Sequence, residues 1–166
     1  MNNKKGISAV VATVLIILIT VAAVTIIWAA IIPMIKEQTV GGTTCLDAVS
    51  QVQIESEGGY TCWDATTGKV KVQISRGAAD FELAKLQIII SEAGDTTSFE
   101  TGETEVTGDV PGANEEKILS VAYDTTLPST KEPDKVEIAP IVTVGNTEKA
   151  CDVAASASLP ACPSAE

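Results

Sequence analysis

The residues best equipped for chemistry in this chain are four cysteines and a large excess of carboxylates. Cys45, Cys62, Cys151 and Cys162 all lie after the first forty residues, and no two of them form a C-x-x-C. Histidine is absent altogether. Zinc sites of the usual spacing, thioredoxin-type exchange, Ser-His-Asp triads and imidazole acid–base catalysis are therefore poor readings. Two disulfides, formed in an oxidising compartment, are the favoured use of the four thiols; four free, half-buried thiols are the alternative. The pairs expected are Cys45–Cys62 and Cys151–Cys162, because each closes a short local loop. Each would stabilise by about 3 kcal/mol in the chain-entropy picture.

The carboxylates are many but not arranged. Asp95, Glu100, Glu103, Glu105 and Asp109 crowd a polar stretch, residues 92 to 117, yet no D-x-[DN]-x-[DN]-G calcium loop is present. A solvated loop with a short strand near Ser98-Phe99 is expected there. No carboxylate pair stands in a recognisable acid–base spacing. The sequence thus points away from an enzyme, and it implies no metal and no cofactor.

The elements that carry these groups differ sharply in composition. Ile7 to Ile32 holds no charged residue, and its only hydroxyl side chains are Ser8, Thr13, Thr20 and Thr25. Lys4 and Lys5 precede it, while the other nine basic residues and all 22 acidic ones follow, giving the part from Lys36 onward a net charge of −13. Such a body argues against binding nucleic acid, which needs clustered Lys and Arg at phosphates. As a helix of ~1.5 Å per residue, the apolar run is about 39 Å long, enough to cross a ~30 Å hydrocarbon layer. Fourteen of the residues from Ala9 to Ile32 are Val, Leu or Ile, which favours insertion by about 5 kcal/mol. A removable secretory signal would want an apolar core of only ~7–15 residues and a polar cleavage region after it. Lys4 and Lys5 should stay cytoplasmic, which leaves the acidic body outside. Pro33 is expected to end or kink the helix.

The stretch KKGISAVVATVLIILITVAAVTIIWAAIIPMI, residues 4 to 35, resembles the N-terminus of archaeal type IV pilins and archaellins. Lys4, Lys5 and Gly6 resemble the short basic leader of that family's class III (prepilin-type) signal peptide, and Ile7 its first mature residue. The resemblance implies cleavage between Gly6 and Ile7 by a membrane prepilin peptidase, storage in the membrane, and extraction by an assembly platform. It also implies polymerisation into a helical filament whose core is this helix, with Ser8, Ala9, Val11, Ala12, Leu15, Ala22 and Ala23 among its packing positions. Val11 stands where bacterial pilins carry a glutamate. Small residues four apart, Ser8 with Ala12 and Ala9 with Thr13, would let such helices approach closely.

Beyond about Thr44 the period changes from helix to strand. KVKVQIS alternates Val70, Val72 and Ile74 against Lys69, Lys71 and Gln73, and KVEIAPIVTV does the same around Pro140, which suggests an edge or bulged strand. LAKLQIIIS (83 to 91) reads as a deeply buried strand and KILSVAYD (117 to 124) as another. Gly58-Gly59, between SQVQIES and GYTCWDA, and Gly145-Asn146 are hairpin signals. With two each of Trp, Tyr and Phe, the core must rest on Val, Ile and Leu, with Trp63, Phe81 and Tyr123 as its larger members.

The expected fold is α+β: a long N-terminal hydrophobic helix followed by an antiparallel, immunoglobulin-like β-sandwich. Residues 1–6 form the basic leader and 7–35 the transmembrane or filament-core helix. Residues 36–43 are a linker, 44–151 the extracellular sandwich and 152–166 a C-terminal tail that looks disordered. The expected function is a filament subunit, found in the cell membrane before assembly and on the cell surface after it. The alternative is a single-pass anchored binding module, such as an accessory protein, surface-layer contact or adhesin, that never polymerises.

Overall fold

The computed structural model describes residues 9–127 and 129–163, with only the backbone for 36–39. The chain divides between Thr39 and Val40 into two units. One helix, α1, spans Ala9–Gln51. It does not stop at Pro33, and residues 36–43, expected as a linker, are helical. The proline costs the helix one hydrogen bond, and helical structure continues on both sides of it. Gly41 is buried, and a Cβ there would come within 3.2 Å of the Lys149 side chain. This glycine thus serves close approach within the second unit.

After α1 come ten strands in two antiparallel sheets. The first holds β1 (Val52–Glu55), β2 (Cys62–Asp64), β3 (Lys69–Arg76), β6 (Val106–Thr107) and β7 (Glu116–Ala122). Its order is β1-β3-β7-β6, with β2 also on β3. The second holds β4 (Leu83–Glu92), β5 (Asp95–Glu100), β8 (Lys135–Val144), β9 (Thr147–Ala150) and β10 (Ala155–Ser158). Its order is β10-β8-β4-β5, with β9 also on β8. The core is built from one face of each sheet: Val70, Val72, Ile74, Leu119 and Val121 from the first, and Leu86, Ile88, Ile90, Val136 and Ile138 from the second. The fold is α+β as expected, a helix followed by an antiparallel sandwich.

β4 buries Leu86, Ile88 and Ile90 while Gln87 and Ile89 stay half-buried, so only one face of this expected deep strand is in the core. Trp63 and Tyr123 are buried and meet edge to face at 5.9 Å between centroids. Phe81 packs against the core with the Arg76 guanidinium 4.2 Å above its ring.

Both sheets have one edge made of two collinear short strands. β1 pairs with the end of β3 and β2 with its beginning, so the two lie in line along β3. No hairpin forms at Gly58-Gly59. The excursion between them is closed by Thr61, buried, whose hydroxyl donates to the Glu55 carbonyl at 2.6 Å and accepts from the Gln73 N–H at 3.1 Å. β10 and β9 line up in the same way along β8, from Ala155↔Ile138 to Ala150↔Ile141. Pro140 sits at the break, so β8 is an inner strand and its proline is tolerated where neither neighbour needs an N–H. The expected hairpin at Gly145-Asn146 forms, joining β8 and β9. A second hairpin joins β4 and β5 through Ala93 (φ 50) and Gly94 (φ 96), a two-residue turn of primed type. It falls in the segment expected as a loop. The tail, expected to be disordered, holds β10, and its Leu159 is buried.

Candidate functional site

Lys4, Lys5, Gly6, Ile7 and Ser8, the leader and the start of the expected mature helix, lie outside the described residues. From Ala9 the helix is described, and Ala9, Val11, Leu15, Ala22 and Ala23 are exposed with Ala12 half-buried. The large apolar side chains point outward all round: Val10 is 69% exposed, Ile19 67%, Ile26 69% and Trp28 64%. Such a stretch holds its helix by satisfying its own polar groups. The Thr13, Thr20 and Thr25 hydroxyls donate to the carbonyls of Val10, Ile17 and Ala22, each at 2.9 Å. That leaves a rod with no polar face, long and apolar enough to cross a membrane. An all-round apolar helix is at home in lipid or among other apolar helices, and out of place in water.

The cysteines form two disulfides, but not the local pairs. Cys45 is bonded to Cys151 and Cys62 to Cys162, with sequence separations of 106 and 100. The reason is topological. Cys45 is on the last turns of α1, and the β8–β9 hairpin delivers Cys151 to it. Beyond β10 the chain crosses from the second sheet to the first and lies parallel beside Trp63 at Ala161. The Trp63 N–H donates to the Pro160 carbonyl and the Cys162 N–H to the Trp63 carbonyl, both at 2.8 Å, which places Cys162 next to Cys62. One bridge ties the helix end to the second sheet; the other ties the first sheet to the end of the described chain.

The carboxylates do structural work. Asp64 caps its own turn: Thr66 donates to Oδ1 through its N–H at 3.0 Å and through its hydroxyl, and the Thr67 N–H adds a bond at 3.3 Å. These threonines hold its pKa down to about 2. Asp124 is bound by the Ser129 hydroxyl at 2.6 Å and by Thr126, which likewise hold it down to about 2. The two turns adjoin: the Tyr123 and Asp124 N–H groups both donate to the Gly68 carbonyl at 3.0 Å. Burial pushes Tyr123 up to about 12, helped by its hydrogen bond to Glu92. A carboxylate saturated by hydroxyl donors is a weak base. In the stretch 92 to 117, Glu103 accepts from the Glu100 N–H at 2.9 Å and Glu105 from the Thr104 hydroxyl. Among the described residues no three His, Cys, Asp or Glu are grouped to hold a metal ion.

The tie between the helix end and β9 escapes the sequence reading; its signal is Cys45, Ala48 and Val49 at helical spacing, with Ala48 fully buried. An apolar helix able to cross a bilayer, and disulfides in the sandwich, together fit a membrane-anchored domain on the oxidising side. No family model and no curated protein matches the chain. Among solved structures, a bacterial immunoglobulin-like domain from the M. primoryensis ice-binding adhesin is similar at 12% identity and a TM-score of 0.37. The match covers 69% of this chain and 98% of that one.

Proposed function

We propose that the protein is a structural subunit of a type IV pilin-like surface filament of archaeal kind, in which the apolar helix packs against copies of itself and the sandwich faces outward. The observation that supports this most is the helix from Ala9 to Ile35, uncharged and apolar on every side, its three threonine hydroxyls bonded to carbonyls of their own turns. A helix meeting many neighbours of its own kind has no need of a preferred face, whereas a helix docked on one partner would show an apolar stripe. The long-range disulfides support the outward role of the sandwich, since they hold a modest core together in an oxidising exterior. The partners are other copies of the chain, a prepilin peptidase and a membrane assembly platform. The same helix length also suits a plain single-pass anchor, the second reading.

The test is made in the native host. Mass spectrometry should find the mature protein beginning at Ile7, and Gly6→Phe should leave the leader attached and abolish thin surface filaments. Native protein that keeps Met1 to Lys5 and sits in the membrane without filaments would leave only the anchor. Native material that begins beyond Pro33 and dissolves as monomers without detergent would end both readings.

A further inference from the structure

Most sheet edges here are short or broken. In the first sheet the outer segments are β1, β2 and β6, of four, three and two residues. Past β6 the chain stays against β7, where a Cβ on Gly108 would meet the Ile118 carbonyl at 3.1 Å. In the second sheet β9 and β10 have four residues each. The other side of that sheet ends on β5, six residues whose register on β4 runs unbroken from Glu92↔Asp95 to Gln87↔Glu100. β5 has no proline, no lysine and no bulge, the usual means of spoiling an edge. Its first four residues, Asp95 to Ser98, are exposed.

In an antiparallel ladder alternate residues bond to the neighbour and the others turn outward. The Thr101 N–H donates to the Leu86 carbonyl at 3.0 Å. Thr97 and Phe99 therefore bond to β4, while Thr96 and Ser98 turn an N–H and a C=O outward. The next outward N–H, that of Glu100, donates to the Glu103 carboxylate at 2.9 Å. Among the described residues nothing bonds to the backbone of Thr96 or Ser98 on that side. The open window runs from the Ala93-Gly94 turn to the bond at Glu103.

Charge selects the occupant. From Glu92 to Asp109 the chain carries six carboxylates and no Lys or Arg. Asp95 and Glu100 stand at the two ends of β5. Lys85 reaches Glu100 at 3.8 Å, but it also binds Glu148 at 3.0 Å. A second copy fits badly, because β5 against β5 would set one acidic edge on another. The described stretch of this chain with lysines two apart, Lys69 to Lys71, lies in β3, which is paired on both sides.

We propose that the outer edge of β5 is a docking site for an extended, lysine- or arginine-bearing segment of another protein, which joins the second sheet as a further strand. Backbone bonds at Thr96 and Ser98 hold it, and cations opposite Asp95 and Glu100 select it. The inference does not use the filament reading: the edge is equally open on an anchored module.

The probe is the hexapeptide Lys-Val-Thr-Val-Thr-Lys, amidated and carrying a dye at its N-terminus. Laid antiparallel on β5, it sets a lysine opposite each end. It is titrated with the full chain in dodecyl maltoside micelles and read by fluorescence anisotropy; the control peptide has glutamate at both ends. The lysine peptide should bind and slow hydrogen exchange across residues 95–99. The glutamate peptide should bind at least tenfold more weakly, and ~0.5 M salt should weaken the lysine peptide severalfold. Ser98→Pro removes one outward N–H and no bond to β4, so the β signal in circular dichroism should hold while affinity falls at least tenfold. Asp95→Asn with Glu100→Gln should cut affinity severalfold and leave the backbone alone. Equal binding of both peptides, or binding of neither, would overturn the proposal. So would affinity indifferent to Ser98→Pro in a folded chain; if that variant unfolds, unchanged affinity in the Asp95→Asn, Glu100→Gln chain does the same. Dimers of the chain alone that Ser98→Pro abolishes would make a second copy the occupant, and the basic segment would fall.

Discussion

Ile16 and Ile88 are the same side chain in opposite circumstances. Ile16, in the rod, is 61% exposed; Ile88, in the second sheet, is fully buried. The rod satisfies its backbone within itself and leaves its apolar surface for lipid or for other helices to cover. The sandwich buries its own surface by bringing distant strands together, and then fixes them by two bridges that each close a loop of about a hundred residues. The difference teaches that the rod owes its stability to its surroundings and the body owes its own to topology. Perturbations should therefore sort cleanly by region.

The largest effect is expected from the bridges. Replacing Cys62 and Cys162 together by alanine releases a loop worth about 4–5 kcal/mol in the chain-entropy picture. Denaturant unfolding of the full chain in detergent micelles, followed by the β signal in circular dichroism, should show that loss while the helical signal of the rod is unchanged. A helical signal that falls with the β signal would break the comparison. Next comes the core itself. Ile88→Ala should destabilise the body by about 3 kcal/mol, and Ile16→Ala should leave body unfolding unaltered. A matching loss from Ile16→Ala would show that the rod's surface is part of the body's folding.

How much of this was legible in the sequence follows the same division. The rod is written locally, as an unbroken apolar run, and its helix could be read residue by residue. So could the alternation of Val70, Val72 and Ile74, or the β8–β9 hairpin at Gly145-Asn146. The disulfide pairs could not. The local pairs Cys45–Cys62 and Cys151–Cys162 were favoured by loop length, yet pairing was decided by which strands lie side by side, a property of contacts a hundred residues apart. Pro140 misled for a related reason: it signals a missing hydrogen bond, and an inner strand can supply that gap when its neighbour is broken in two. Gly58-Gly59 suggested a tight hairpin, but the chain there makes an excursion and returns to the same edge, held by a threonine that no turn rule singles out. The helix runs through Gly41-Gly42 because the packing of Ala48 and the bridge at Cys45 offset a propensity cost of about 1 kcal/mol per glycine; at Pro33 it continues despite a larger cost of about 3 kcal/mol.

That threonine sharpens the comparison at smaller scale. Thr61→Val keeps the volume but strands the Gln73 N–H and the Glu55 carbonyl at a buried break in the edge, which should cost about 2 kcal/mol of body stability. The rod's threonines bond only within their own turns, so Thr20→Val should leave insertion into vesicles and helicity unchanged. If Thr61→Val proves neutral in the denaturation midpoint, the broken edge is held by the Cys62 bridge rather than by the hydroxyl.

Acid gives the gentlest separation, because the rod from Ala9 to Ile35 contains no titratable side chain. In the body, Asp64 and Asp124 are held down to about 2 by Thr66 and Thr67, and by Ser129 and Thr126, against roughly 3.9 when unfolded. A depressed carboxylate contributes stability that is complete above its unfolded pKa and is lost as pH falls toward its folded one. The denaturation midpoint of the body should therefore be flat from pH 7 to about 5 and decline between about 4 and 2, with rod helicity constant throughout. Tyr123, raised to about 12 by burial and Glu92, has the opposite sign; its contribution is present below about 10 and fades as pH climbs through 12. Asp64→Asn with Asp124→Asn should lower the neutral midpoint and flatten the acid decline. If the decline survives in that double variant, the paired turns at Gly68 do not set the body's acid limit, and the remaining carboxylates, spread over the net −13 surface, must.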